Sequence, residues 1–223
     1  MRRIIASAFV TLDGVMQAPG GPEEDVTGMF EEGGWVFKLW DEGINETLGE
    51  FFSGSYDLLL GRRTYDIFAA YWPYATGENA AMGEAFTAAN KYVLTRRDQP
   101  LDWANSHRLS GIDEVAALKA GDGPDLIVQG SSTLYPALLA AGLIDRLTLM
   151  MFPVMLGRGK RLFGDGTPVG LLTMVEHKVT EKGTVVATYA PGGALPPYPA
   201  EAPVPSTSAR EAERQRAMKE GRW

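Results

Sequence analysis

Two short apolar runs, Asp57-Leu58-Leu59-Leu60 and Leu126-Ile127-Val128-Gln129, each end at a glycine and pass at once into a helical period. Runs of this length are too short for a buried helix and long enough for a strand that crosses a core. They show no polar alternation, so both of their faces must be covered. That is the condition of a parallel sheet with helices on either side. The rest of the chain fits this frame. Residues 4–10, 91–95, 107–109 and 147–154 read as further strands. Helical periods occupy residues 35–52, 64–71 (stopped by Trp72-Pro73), 112–119 and 133–141 (closed by Gly142). In the first of these, Phe37, Ile44, Leu48 and Phe51 fall on one stripe. Residues 171–178 and 184–190 form a hairpin across Glu181-Lys182-Gly183, which adds an antiparallel edge. The expected architecture is an α/β three-layer sandwich with a mostly parallel central sheet and a C-terminal antiparallel hairpin.

The two ends of the chain are different. Met1-Arg2-Arg3 opens like a signal peptide, but the apolar run after it is short and Asp13 interrupts it, so a first strand is expected. Residues 11–34 form a long aperiodic stretch rich in Gly, Pro and acids, the kind of loop that carries function or moves. Residues 191–205 are Pro- and Ala-rich and should be extended. Ser208-Ala209-Arg210-Glu211 is a capping box, so residues 208–220 are expected to be a short helix. This divides the chain into one domain over residues 1–190 and a linker with a helical tail over residues 191–223.

Composition removes several functions. The net charge of −7 argues against nucleic-acid binding, which needs a basic footprint. With no cysteine and only His107 and His177, zinc–thiolate and multi-histidine metal sites are out of reach. The lack of cysteine fits a cytoplasmic protein but permits any compartment, and no stretch approaches the roughly 18 apolar residues of a membrane helix.

Chemistry is expected where the strands end, because ligands of such sheets lie at the carboxyl ends of the strands. At the first exit, Gly61-Arg62-Arg63-Thr64, the glycine permits a sharp turn and the helix start presents unpaired N–H groups. Thr64 can cap that start or bond a phosphate, and the arginines supply charge; a solvated pair at an ordinary corner fits equally. At the second, Gly130-Ser131-Ser132-Thr133-Leu134, small residues allow close backbone approach and three hydroxyls offer donors, although a plain N-cap is the simpler alternative. At the third, Thr95-Arg96-Arg97 places cations where NADP enzymes meet the 2′-phosphate. Together the three exits favour a phosphorylated dinucleotide. Neither a Rossmann Gly-x-Gly-x-x-Gly nor a complete P-loop is present, and Gly157-Arg158-Gly159-Lys160 reads as a flexible turn at a pocket rim.

These segments resemble the dihydrofolate reductase-like family. The residues that carry the resemblance are Leu60-Gly61-Arg62-Arg63-Thr64-Tyr65 with Trp72-Pro73, Gln129-Gly130-Ser131, Gly142-Leu143-Ile144-Asp145, Pro153-Val154-Met155-Leu156-Gly157 and Leu162-Phe163. With Thr11-Leu12-Asp13-Gly14, the likeness is greatest to the branch containing the reductase domain of bacterial riboflavin biosynthesis, over about residues 2 to 190. The resemblance implies NADPH bound by residues 61–64, Thr95, Arg96 and residues 130–134, in a homodimer that reduces a small-molecule substrate. It implies no specific substrate. Folate reductases hold the pterin with a carboxylate on their first long helix. Here Asp41 interrupts an apolar stripe, so burial would raise its pKa and suit it to act as an acid; a surface acid beside Glu42 is the alternative. Asp13, in a loop just past the first strand, is a second candidate, although Asp-Gly is also a common turn. Trp35 and Trp40 could wall a pocket or fill the core. The expected activity is NADPH-dependent reduction of a small polar heterocycle (pterin- or aminopyrimidine-like) or of a carbonyl compound. A non-catalytic NADP-binding sensor is the alternative, and an interaction module on residues 206–223 is a third reading.

Overall fold

Leu58, Leu59 and Leu60 are all fully buried, which requires cover on both faces of their strand. The computed structural model, which describes residues 1–202 and 208–222, supplies that cover. One eight-stranded sheet runs in the order β4-β3-β2-β5-β1-β6-β8-β7. Its strands are β1 Ile4–Thr11, β2 Tyr56–Gly61, β3 Lys91–Leu94, β4 Ser106–Leu109, β5 Asp125–Gln129, β6 Arg146–Phe152, β7 Leu171–Val179 and β8 Val185–Gly193. The pairs from β4 across to β6 are parallel, and β8 and β7 close the sheet antiparallel. The helices are α1 Glu42–Phe51, α2 Arg62–Tyr71, α3 Ala80–Ala88, α4 Ile112–Ala120, α5 Leu134–Ala140 and α6 Ala209–Lys219.

The strand period of two sorts the core into layers. Ile4, Ala6, Ala8, Leu59, Leu126 and Val128 meet Val115 of α4 and Tyr135 and Leu138 of α5. Leu58, Leu60 and Ile127 point the other way, onto Tyr65 of α2 and Phe86 of α3. Ile44 of α1 covers Met150, Phe152 and Val186 on that same side of the sheet. Each such aliphatic side chain contributes about 1.5–3 kcal/mol by leaving water. The fold class expected from the sequence is the one observed.

Three local readings change, and a fourth is met. The helix expected over residues 35–52 is interrupted: a 3-10 turn, Trp35–Lys38, comes first, and Asp41 then caps α1 with its side chain on the Ile44 amide. Helix α3 was not foreseen, since an alanine- and glycine-rich segment shows little apolar periodicity. It packs so closely that a Cβ on Gly83 would lie 2.5 Å from the Trp72 carbonyl oxygen. Strand β8 continues through Pro191 because that residue pairs with Leu172 of β7 beyond the last residue paired to β6, where no ladder N–H is needed on that side. Helix α6 has its Ser208 cap as expected, with the hydroxyl accepting from the Glu211 amide, but none of its residues is buried. Residues 203–207 and Trp223, which belong to the expected linker and tail, lie outside the described residues.

Candidate active site

Strand β1 leaves towards β2 on one side and β5 leaves towards β6 on the other, so the flanking elements part above the ends of β1 and β5. A cleft of about 1080 Å³ opens there, lined at its floor by Phe9 and Gln129. The turns after β2 and β5 meet at its edge. The Gly61 amide donates to the Ser131 hydroxyl at 2.9 Å, and that hydroxyl donates to Thr64 Oγ1 at 2.5 Å. Gly130 and Ser131 both take left-handed backbone, at φ 82° and 70°. No side chain caps the start of α2 or of α5. Thr64 therefore does not cap its helix; it fastens the two turns together.

The expected cofactor residues divide into three groups. Arg63, Thr64, Gly130, Ser131, Ser132 and Thr133 line the cleft. Gly61 is not among the lining residues but is bonded to Ser131, which is, and Leu134 is buried in the core. Arg62 turns away: its Nε donates to Asp66 at 2.8 Å, its Nη1 to the Gln99 carbonyl at 3.0 Å, and its guanidinium lies over the Tyr65 ring. Thr95 and Arg96 follow β3, one strand outward from Gly61, and are not among the lining residues. Thr95 is buried, with its hydroxyl accepting from the Arg97 amide, and Arg96 is exposed.

The two candidate acids are held elsewhere. Asp41 accepts from the Ile44 amide at 3.3 Å and from the Lys182 amide at 2.8 Å, joining α1 to the β7–β8 turn. Burial works against its charge, but bonds from Thr180, Lys182 and Ile44 outweigh it and hold its pKa below the ordinary 3.8. The raised pKa expected from an apolar stripe is thus corrected: Asp41 is a cap, and its donors stabilise the anion. Asp13 accepts from Thr11 Oγ1 at 2.6 Å and from the Leu156 and Gly157 amides at 3.2 and 2.8 Å. Those bonds, the Thr11 hydroxyl foremost, lower its pKa also. Neither lines the cleft. Asp41→Ala is expected to cost about 1 kcal/mol of stability, a drop in Tm of about 2–4 °C. The folded pKa is the depressed one, so this contribution is present above pH 3.8 and lost as pH falls through the folded value. The difference in Tm between the two proteins should therefore be smaller at pH 3 than at pH 7.

Residues of the long loop complete the site and were not singled out in the sequence. Asp25 forms an ion pair with Lys160 Nζ, accepts from the Thr27 hydroxyl and lies 3.7 Å from Arg63. Burial raises its pKa, and Lys160 and Thr27 more than reverse that. Glu24 accepts from the Gly20 amide at 2.6 Å; here burial prevails and its pKa is raised. Only the acidic composition of residues 11–34 hinted at them, because the cations that meet Asp25, Arg63 and Lys160, are remote in sequence. In the exposed turn at Gly157-Arg158-Gly159-Lys160 only Gly159 is closely packed: a Cβ there would lie 2.7 Å from Val15 Cγ1, whereas one on Gly157 would meet nothing within 4 Å. Trp40 lines the cleft, whereas Trp35 is core, its Nε1 donating to the Gln17 carbonyl at 2.9 Å. Among the described residues no cluster of His, Cys, Asp or Glu could hold a metal ion, and no helix is long and apolar enough to cross a membrane.

A three-layer sandwich with a mostly parallel sheet, a closing antiparallel pair and a cleft above the β1 and β5 ends defines the dihydrofolate reductase-like class. Within it, the chain belongs to the RibD C-terminal domain family, whose model matches residues 2–186. A Bacillus subtilis (strain 168) relative, the uncharacterized protein YyaP, is 28% identical over 194 residues, 84% of this chain and 94% of its own length. Among solved structures, a putative riboflavin biosynthesis protein from Shewanella sp. PV-4 superposes with a TM-score of 0.59 at 20% identity, covering 85% of this chain and 98% of that one. Dihydrofolate reductase from Enterococcus faecalis, complexed with NADP(H) and RAB-propyl, gives 0.53 at 16% identity, with 85% and 96% covered. A pyrimidine reductase-like protein from Corynebacterium diphtheriae gives 0.58 at 13% identity, with 85% and 92% covered.

Proposed function

We propose that the protein is an NADPH-dependent reductase of a small molecule. The observation that carries the reading is the pair of laced turns at Gly61 and Gly130, which open a helix start with no side-chain cap beside Arg63 on the edge of a large cleft. The donor set suits a pyrophosphate: uncapped amides of α2, the hydroxyls of Ser132 and Thr133, and the Arg63 guanidinium. Arg96, exposed after β3 beside the Gly61 turn, would take the 2′-phosphate. NADPH, when bound, supplies a hydride. The protein's own contribution is orientation and the exclusion of water by Trp40 and its aromatic neighbours. A homodimer, as the family resemblance implies, completes the reading, with the cytoplasm as the compartment that the lack of cysteine fits.

Arg63→Ala is expected to weaken NADPH and NADH alike, by about 10- to 100-fold. Arg96→Ala should weaken NADPH by a similar factor and leave NADH unchanged, since only NADPH carries the 2′-phosphate. Titrations followed by cofactor fluorescence measure both. Wild-type protein that binds neither dinucleotide would sink the reading. Tight NADPH binding without oxidation over a pterin, pyrimidine and quinone panel would favour a sensor.

A further inference from the structure

Away from the phosphate turns the cleft changes character. Its walls from α1, α2, α3 and the 3-10 turn before α1 present Phe37, Trp40, Leu48, Ile67, Tyr71 and Phe86. Phe37 and Trp40 stack at 5.1 Å, and Trp40 leans on Phe9 at 5.9 Å. Phe37 remains 60% exposed and Tyr71 50%. Open aromatic area inside a concave site matches a flat apolar occupant.

Several polar atoms of these walls bond to one another. Trp40 Nε1 donates to Asn45 Oδ1 at 2.8 Å, Asn45 Nδ2 donates to Glu42 at 2.9 Å, and Asn79 Nδ2 donates to Tyr71 Oη at 2.9 Å. Asp66 is paired with Arg62, and Glu78 is exposed to solvent. The cations of the lining, Arg63 and Lys160, stand at the phosphate end against Asp25. The aromatic walls therefore offer no cation for a substrate phosphate. They also offer no buried, unpaired carboxylate to meet the adjacent N–H donors of an aminopyrimidine or pterin. Asp13 and Asp41 are engaged outside the cleft, and Glu24, a lining acid whose pKa burial raises, belongs to the long loop rather than to these walls and accepts from the Gly20 amide.

We infer, resting on the reductase reading above, that these walls select an uncharged, planar conjugated carbonyl compound, a quinone or ring-conjugated enone, over phosphorylated pyrimidines and pterins. Such an acceptor needs no acid from the wall. Its carbon gains the hydride supplied by the cofactor, and the electron pair of the conjugated system shifts onto oxygen. That oxygen takes a proton from water. The acceptor is thereby reduced by two electrons and NADPH is oxidised to NADP⁺. Conjugation spreads the developing charge, which is the task a buried acid would otherwise perform.

The test is calorimetric titration of the full chain with 2-methyl-1,4-naphthoquinone, uridine 5′-monophosphate and 7,8-dihydrofolate, each with and without saturating NADP⁺. The quinone is expected to bind at least about tenfold more tightly than either polar ligand. Trp40→Ala and Tyr71→Ala should each weaken it by about fivefold or more while leaving NADP⁺ affinity within about twofold. Tyr71 is half exposed, so its removal does not threaten the fold. Equal or tighter binding of either polar ligand overturns the inference, as does unchanged quinone affinity in both variants. If NADP⁺ fails to bind while the quinone pattern persists, the cofactor reading falls and the selectivity of the walls stands. If NADP⁺ binds and the quinone does not, the selectivity alone falls.

Discussion

Lys91→Met is expected to destabilise the protein by about 3–5 kcal/mol. Lys91 is fully buried at the start of β3. Its ammonium donates to the carbonyls of Phe86, Thr87 and Ala89 at 2.9, 2.8 and 2.8 Å, and lies 4.4 Å from the centre of the Trp103 ring. These are the carbonyls at the end of α3, which a helix cannot satisfy internally. Methionine would replace the methylenes but strip the donor from the Phe86 and Ala89 carbonyls and leave that of Thr87 only the Asn105 Nδ2 bond at 3.2 Å. Because Phe86 and Met82 of α3 line the cleft, loosening of this end should reach the site as well.

The same residue predicts a pH signature. Burial pulls the Lys91 ammonium from 10.5 down to about 8, with nearby Asp57 opposing. Below pH 8 the group is charged in both the folded and unfolded chain, and its contribution is constant. Between pH 8 and 10.5 the unfolded chain holds a proton that the folded one has released, so stability rises with pH. The rise is at most about 1.4 kcal/mol per pH unit. The deficit of Lys91→Met relative to the parent should therefore widen from pH 7.5 to 9.5 in urea unfolding. A deficit that narrows would mean that the native state keeps the charge.

The second large effect is expected at Gly61, where Ala should cost about 2 kcal/mol and weaken NADPH about tenfold. The backbone there is ordinary extended chain, φ −80° and ψ 158°, so left-handed freedom is not the reason for glycine. The reason is proximity: an added Cβ would lie 2.8 Å from Ser131 Oγ and 3.0 Å from Ser131 Cβ. Ser131 cannot simply rotate away, because its own Cβ is one of the atoms in the path. The two turns would be forced apart. Ser131→Gly removes both obstructing atoms and relieves the left-handed backbone at φ 70°. The double variant should therefore recover much of what Gly61→Ala loses, and a double-mutant cycle in urea would show strong non-additivity. Simple additivity would mean that the turns do not depend on this contact.

How much of this could be read from the chain varies with the range of the interaction. The strands around Leu58–Leu60 and Leu126–Val128 were legible because covering both faces leaves a continuous apolar run. The Ser208 cap was legible because its partner, Glu211, is three residues away. Helix α3 was not, since its place depends on a close approach to Trp72. Asp41 shows the limit most clearly. Its spacing from Phe37 and Ile44 implied an apolar stripe and a raised pKa. The chain instead breaks at Asp41, and donors from the distant β7–β8 turn reverse the sign.

From sequence alone came the layer architecture, the parallel sheet with its antiparallel edge, and the two glycine turns, because apolar periodicity and turn chemistry act within a few residues. Tertiary structure decided which of those residues share a site. The Ser131 hydroxyl serves both Gly61 and Thr64, and Lys160 pairs with Asp25, across 70, 67 and 135 residues of chain. Asp13 and Asp41 are drawn into structural bonds instead, and aromatic side chains from separate helices line a common wall. A side chain's proton affinity and its access to a ligand depend on whatever packs against it, and the neighbours that decide both here are brought together only by the folded sheet.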